Sequence, residues 1–203
     1  MTTGGTPAFC ETFFDNAVVP AENLVGPLNG GWTIAKALLG HERTLIAAVG
    51  TSTRAIHRIK RIAQQTIVNG KPLIEDPIIA SKIARHEIKL EGLRMANYRA
   101  LAGAQLGHAP GPESSILKIR GSEIMQQCFE IAMEVMGHNS LEWFNEPNTV
   151  PPTEQWVGSA YNYTRATTIY GGSNEIQRNI IAKLRLAYPG VVVLPASPSS
   201  EDI

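Results

Sequence analysis

An excess of charge of either sign is missing from this 203-residue chain, because its 18 Lys and Arg balance its 18 Asp and Glu. No basic run interleaved with aromatics occurs either. Both absences argue against the electrostatic footprint by which nucleic acids or anionic membranes are held. Cysteine is nearly absent: Cys10 and Cys128 stand far apart, with no CxxC and no Cys/His ligand spacing. A structural disulfide and a metal site are therefore not indicated, and a reducing compartment is expected. No apolar run approaches the roughly 20 residues that a membrane span requires. Residues 1–7 lack the basic and apolar regions of a secretory signal. The expectation is a cytoplasmic protein with no nucleic-acid partner, no membrane span and no metal. What the chain does have is 43% hydrophobic against 18% charged residues, enough to build a core and too much for disorder.

Along the chain, residues from about Ala8 to Val25 carry β-formers and then a proline, which predicts one or two short strands. A lone ribbon is marginal in water, and no other good strand candidate precedes the tail, so a sheet outside this chain is implied. From Gly31 the apolar spacing becomes helical. Trp32, Ala35, Leu38, Leu39, Leu45, Ile46, Val49, Ile56, Ile59 and Ile62 recur at three- and four-residue steps, predicting one long helix that stops near Asn69-Gly70. A second helix is expected from Asp76-Pro77 to about Leu106, with Pro in the favourable first turn. A third is expected from near Pro112 to Met136, with Leu117, Ile124, Cys128, Ile131 and Val135 as its stripe. A polar loop, a segment with Trp156, Tyr161 and Tyr163, and a last helix from about Ser173 to Leu186 complete the pattern. Long helices joined by short turns predict an all-α fold, an antiparallel four-helix-type bundle preceded by a short β segment. The expected organisation is 1–28 as β-domain remnant and linker, 29–187 as bundle and 188–203 as a flexible tail.

Two places could carry chemistry. Glu42 has Leu38 one turn before it and Leu45 and Ile46 three and four residues after it, so it falls on or near the apolar stripe. Desolvation raises a carboxyl's pKa, which prepares it to abstract a proton near neutral pH. The alternative is a rim residue paired with Arg43 or a neighbouring helix. The second place is Tyr170-Gly171-Gly172-Ser173-Asn174-Glu175, two glycines and a serine leading into a helix. N–H groups at a helix start bind anionic or carbonyl oxygens, and glycines allow close approach to the backbone. An ordinary capped helix after a tight turn is the alternative. His41, His57, His86 and His108 show no metal-ligand rhythm and are expected at the surface or satisfied in the core.

The string from Ile169 to Lys183 is very similar to a stretch near the end of acyl-CoA dehydrogenases. Glu11 to Gly26 resembles the last strand region of that family's middle β domain. Gly31-Trp32 through His41-Glu42-Arg43-Thr44 resembles the start of its C-terminal helical bundle. The matches lie in order and cover nearly the whole chain except the termini. The resemblance implies an FAD-dependent enzyme that removes the pro-R α-hydrogen of an acyl-CoA as a proton and passes the β-hydrogen to the flavin as hydride. It also implies that the family's first domain and most of its β domain lie outside these residues. The assembly would be a homo-oligomer or a heteromer of related subunits, and the electron acceptor an electron-transfer flavoprotein.

Carried over residue by residue, the resemblance puts the family's common catalytic glutamate at Gly171. A minority of members place the base on the first bundle helix, and that position is Glu42. It makes Arg43, Tyr170 and Leu39 the substrate-binding residues and Gly137, Ser173 and Glu175 the cofactor-binding ones. Two departures stand out. Thr66 occupies a position where the family often has an arginine that grips the FAD of a neighbouring subunit. The family's glycine-rich FAD loop is here Glu134-Val-Met-Gly-His-Asn-Ser140, which keeps only Gly137 of its glycines. A non-catalytic bundle serving oligomerisation or an FAD-bearing partner is therefore a second expectation, and an acyl-CoA oxidase-like flavoenzyme a third.

Overall fold

The computed structural model describes residues 5, 10–107, 111–142 and 155–185, with the backbone alone at 40–46 and 185. Among these the fold is helical, as the periodicity predicts. The elements are α1 (Gly31–Ile46), α2 (Val49–Gln65), α3 (Pro77–Gln105), α4 (Glu113–Met136), α5 (Trp156–Thr164) and α6 (Asn174–Arg185), with short 3-10 turns between them. The sole sheet among the described residues is a hairpin, β1 (Ile67–Val68) and β2 (Lys71–Pro72), in which Ile67 pairs with Pro72 and Val68 with Lys71.

Local chemistry fixes the boundaries. Asn69 and Gly70 both take positive φ, 52° and 76°, which closes the two-residue hairpin in the sense that suits strand twist. Asp76 caps α3: its Oδ1 accepts from the backbone N–H groups of Ile78 at 2.9 Å and Ile79 at 3.0 Å. Pro77 follows in the first position, where a missing N–H costs nothing. Gly137 ends α4 with φ 54°, a conformation that favours glycine.

Three expectations need correction. The single long helix predicted from Gly31 to about Val68 is two helices, broken at Ala47-Ala48, where Ala48 sits in the left-handed region at φ 48° and ψ 34°. The reason is tertiary. A Cβ built on Gly121 of α4 would stand 2.6 Å from the Cα and O of Ala47, so the α1–α2 corner lies directly on the α4 backbone. The strands predicted between Ala8 and Val25 do not form among residues 10–30, which hold only a 3-10 turn at Ala21–Asn23. No strand is available there to pair with. Leu101, expected on the buried stripe of the second helix, is exposed near the end of α3.

Core packing follows the predicted stripes elsewhere. Ile56, Ile59 and Ile62 of α2, Ile79, Ile83, Leu90 and Leu93 of α3, and Leu117, Ile124, Cys128, Ile131 and Val135 of α4 are all buried. Contacts across the bundle set its sense. Lys60 meets Glu87 and Thr53 meets Arg94, so α2 and α3 run antiparallel. Lys82 meets Glu134 and Lys89 meets Gln127, so α3 and α4 do too. Lys118 meets Asn174 and Glu123 meets Arg178, so α6 runs parallel to α4. α4 touches α1, α2, α3, α5 and α6, and its buried residues include Ser114, Ser115, Lys118, Gly121 and Ser122 as well as the apolar stripe. It is the central helix, covered nearly all round. The short helix α5 packs by Val157 and by Trp156, whose ring meets Phe129 edge-on at 5.4 Å with Arg58 over its face at 5.3 Å.

Candidate functional site

The N-terminal half of α4 receives both the corner that ends α1 and the start of α6. Gly121 receives the corner at Ala47, the residue after the last turn of α1. One turn before Gly121, Lys118 reaches the other way and donates from Nζ to Asn174 Oδ1 at 2.8 Å. Ser122 joins this contact: its Oγ accepts from Asn174 Nδ2 at 3.2 Å while donating to Ile119 O at 2.9 Å. Asn174 opens α6, immediately after the glycine turn. The backbone of Glu42 lies five residues before Ala47, about 7.5 Å along the helix from that corner. The side chains of Glu42 and Arg43 lie outside the described residues.

The turn itself is built by its glycines. Gly171 and Gly172 have φ of 66° and 81°, and a Cβ on Gly172 would stand 2.6 Å from Gln177 Nε2. That nitrogen donates to the carbonyls of Gly171 at 3.1 Å and Gly172 at 3.3 Å. Gln177 is buried, and its Oε1 has no partner among the described residues. Tyr170 is 41% exposed; burial of its ring pushes the hydroxyl pKa up, and Tyr163 adds to that.

The free N–H groups expected at the start of this last helix are partly taken. Ile176 N–H donates to Ser173 Oγ at 3.4 Å. The exposed Glu175 carboxyl is held below the usual carboxylate range by a bond with its own backbone N–H, then by the Ser173 hydroxyl. It therefore stays ionised, an acceptor at the rim of the turn. Gln177 fills the space at Gly172, and the groups the turn leaves open to a ligand are the Ser173 hydroxyl and the exposed Glu175 carboxylate.

The remaining predicted residues divide by position. Leu39 is 42% exposed, and its neighbours Trp32 and Leu38 are exposed as well. Over its described part, the apolar stripe of α1 is thus left largely uncovered by the described residues. Gly137 lies at the other end of α4 from Lys118, 19 residues on, or roughly 28 Å along the helix. A Cβ there would meet nothing within 4 Å, so its glycine answers to the helix end. Gly137 and the pair Ser173 and Glu175 are not brought together within one chain. The turn end carries groups that would suit the polar edge of a flavin, the Ser173 hydroxyl and the exposed Glu175 carboxylate; the surroundings of Gly137 are open.

Sequence reasoning missed Lys118, Ser122 and Asn174. It also expected His86 at the surface or satisfied. His86 is buried with both ring nitrogens unpartnered among the described residues. Desolvation lowers its pKa, Lys89 lowers it further, and Glu87 opposes them. Cys128 is equally out of the chemistry, since burial pushes its thiol up to about 12. Among the described residues no group of three metal-ligating side chains occurs, and no helix is long and apolar enough to cross a membrane.

Comparison with known proteins follows this geometry. A family model described as acyl-CoA dehydrogenase, C-terminal domain, matches residues 29–185. The acyl-CoA dehydrogenase IpdE1 of Mycobacterium tuberculosis is 33% identical over 190 residues, covering 91% of this chain and 45% of that protein. The ChsE4-ChsE5 complex from Mycobacterium tuberculosis superposes with a TM-score of 0.71 at 30% identity, covering 84% of this chain and 44% of that one. A glutaryl-coenzyme A dehydrogenase, solved with glutaryl-CoA, superposes with a TM-score of 0.74 at 25% identity, over 86% of this chain and 42% of that one. The chain spans less than half the length of these relatives.

Proposed function

The chain belongs to the acyl-CoA dehydrogenase family, matching its C-terminal helical domain, and from that premise we propose that it forms part of an FAD-dependent enzyme performing α,β-dehydrogenation of an acyl-CoA, with Glu42 as the base. The observation that carries the proposal is the convergence on α4: the corner that ends α1 rests on Gly121, and the glycine turn is tied to Lys118 and Ser122. The helix bearing Glu42 and the turn bearing Tyr170 and Ser173 thereby approach the same stretch of one buried helix.

In this mechanism the Glu42 carboxylate takes the α-proton of the thioester and is left protonated. The α-proton is acidic enough for this when the thioester carbonyl is polarised by hydrogen bonds. The flavin, when bound, supplies the acceptor for the β-hydride. Arg43, Leu39 and Tyr170 bind the acyl-CoA, with Leu39 and Tyr170 offering exposed apolar surface. Ser173 and Glu175 hold the cofactor at the turn. Gly171 has no side chain that could serve as the alternative base. Exclusion of water around Glu42 falls to whatever surface covers Trp32, Leu38 and Leu39, which are exposed among the described residues.

The separation of Gly137 from the turn supports an assembly in which the two ends of α4 serve different cofactor copies. That is a homo-oligomer or a heteromer of related subunits, with an electron-transfer flavoprotein receiving the electrons. Incubating the flavin-loaded enzyme with an acyl-CoA tests the reading: a 2-enoyl-CoA should accumulate with a flavoprotein acceptor and stay minor with oxygen alone. Rapid turnover with oxygen, releasing peroxide, would assign an oxidase instead. A second reading, a non-catalytic bundle partnering an FAD-bearing subunit, is favoured by the open surroundings of Gly137. A visible spectrum separates the two, since flavin bands on this chain in its purified assembly contradict the second.

A further inference from the structure

Lys118 is the largest fully buried side chain among the described residues and places its ammonium between α4 and the start of α6. Desolvation draws its pKa below the ordinary lysine value, and Glu175 at the start of α6 pulls the other way. An unbranched apolar side chain would fill the same space in α4 without that desolvation penalty. Packing alone does not call for a charge here. What the ammonium adds is a directed bond.

That bond goes to one place. Lys118 Nζ donates to Asn174 Oδ1 at 2.8 Å, and Asn174 Nδ2 donates to Ser122 Oγ at 3.2 Å. The Asn174 amide is thus held on both its atoms by α4. Asn174 is the first residue of α6 and follows Gly171, Gly172 and Ser173. The two glycines have positive φ and no side chains with which to anchor the turn. Several contacts hold its place. Gln177, one helical turn along, holds the carbonyls of Gly171 and Gly172, and Tyr170 N–H donates to Ala166 O at 3.0 Å. Gln126 of α4 donates to Thr164 O at 2.9 Å before the turn, and Arg178 pairs with Glu123 of α4 after it. Gln177 sets the turn's shape relative to α6. Between the outer ties, the buried Lys118–Asn174 bond joins α4 to the residue two after Gly172, one turn of α4 from the Gly121 that carries the Ala47 corner.

We infer that Lys118 is a positioning residue of the site, acting through Asn174 to fix the Tyr170–Ser173 turn against α4 at the level where α1 ends. The inference rests on the proposed dehydrogenase function for the meaning of that placement, but the tie itself is measured without activity. The measurement is backbone amide hydrogen exchange on the full chain in its assembled, flavin-loaded form. Lys118→Met and Asn174→Ala should each speed exchange over residues 170–178 by about tenfold or more, while residues 55–63 and 79–93 in α2 and α3 stay unchanged. The double variant should do no more than Asn174→Ala alone, since that variant already removes the Lys118 contact. Asn174→Asp, which keeps an acceptor for the ammonium, should exchange as the parent does. If Lys118→Met fails to fold, Asn174→Ala and Asn174→Asp carry the same comparison. In kinetics, Lys118→Met should lower kcat about tenfold with FAD still bound and KM within about threefold, a split that general destabilisation would not give.

An unchanged turn in both single variants overturns the inference. So does faster exchange spread evenly through α2 and α3, or effects that add in the double variant. A parent that shows the expected exchange pattern yet dehydrogenates no acyl-CoA would remove the proposed function and leave the tie supported.

Discussion

At the scale of single residues, His86 gives the sharpest consequence. Its imidazole is buried and unpartnered among the described residues, with its pKa lowered first by desolvation and then by Lys89. The unfolded chain therefore binds a proton at a higher pH than the folded one. Stability from this residue is complete above its ordinary value of 6.5 and is lost as pH falls through the folded value. His86→Met should remove that acid sensitivity and add about 1–3 kcal/mol at neutral pH, because two unsatisfied polar atoms leave the core. Urea titrations at pH 7.5 and 5.5 check this. An unchanged difference between the two pH values would show that His86 does not govern it. Legibility at this scale was uneven. Glu42 could be singled out because an acid between Leu38, Leu45 and Ile46 breaks an apolar pattern. Lys118 could not, because a lysine in a helix reads as a solvated side chain until a helix covered on every face surrounds it. The one available signal was its setting among Ser114, Ser115, Gly121 and Ser122, small residues that let other helices come close.

At the scale of elements, the corner between α1 and α2 is the feature that sequence periodicity could not reveal. Apolar spacing runs through Ala47-Ala48 without interruption, and alanine is the best of helix formers. The break comes from packing: α4 offers Gly121, and the chain turns on it. Gly121→Ala should destabilise the fold by about 2 kcal/mol or more, since the new Cβ meets backbone that has no rotamer to yield. Ala48→Gly should act oppositely, gaining up to about 1 kcal/mol by relieving a left-handed alanine. Thermal unfolding of the two variants tests both signs, and stabilisation by Gly121→Ala would refute the close crossing. The start at Asp76-Pro77 was legible, because Asp76 caps and Pro77 fits the first turn. At Asn69-Gly70 the turn was legible but its setting was not, since α2 already ends at Gln65 and the pair closes a hairpin. The expected strands near the N-terminus were not realised, because strand propensity specifies a partner ladder and residues 10–30 have none here.

At the scale of the whole molecule, the fold class was readable because long periodic segments dominate the chain. What covers the apolar faces was not readable, since a stripe states that a face is apolar and says nothing of its neighbour. Trp32, Leu38 and Leu39 on α1, and Ile78, Ile88, Met95 and Leu106 on or just past α3, are exposed. Patches of this kind mark contact surfaces. Light scattering should accordingly give a solution mass above that of one copy, and a monomer at micromolar concentration would contradict an assembly built through these faces. In the proposed mechanism Glu42, on the first helix, serves as the base of a flavin-dependent dehydrogenase. Anaerobic addition of acyl-CoA to the assembled, FAD-loaded enzyme tests it most directly. The parent's flavin absorbance should bleach. In Glu42→Gln, with FAD still bound, bleaching should be lost or slowed by at least about a thousandfold. Bleaching of the variant at the parent's rate would contradict the account.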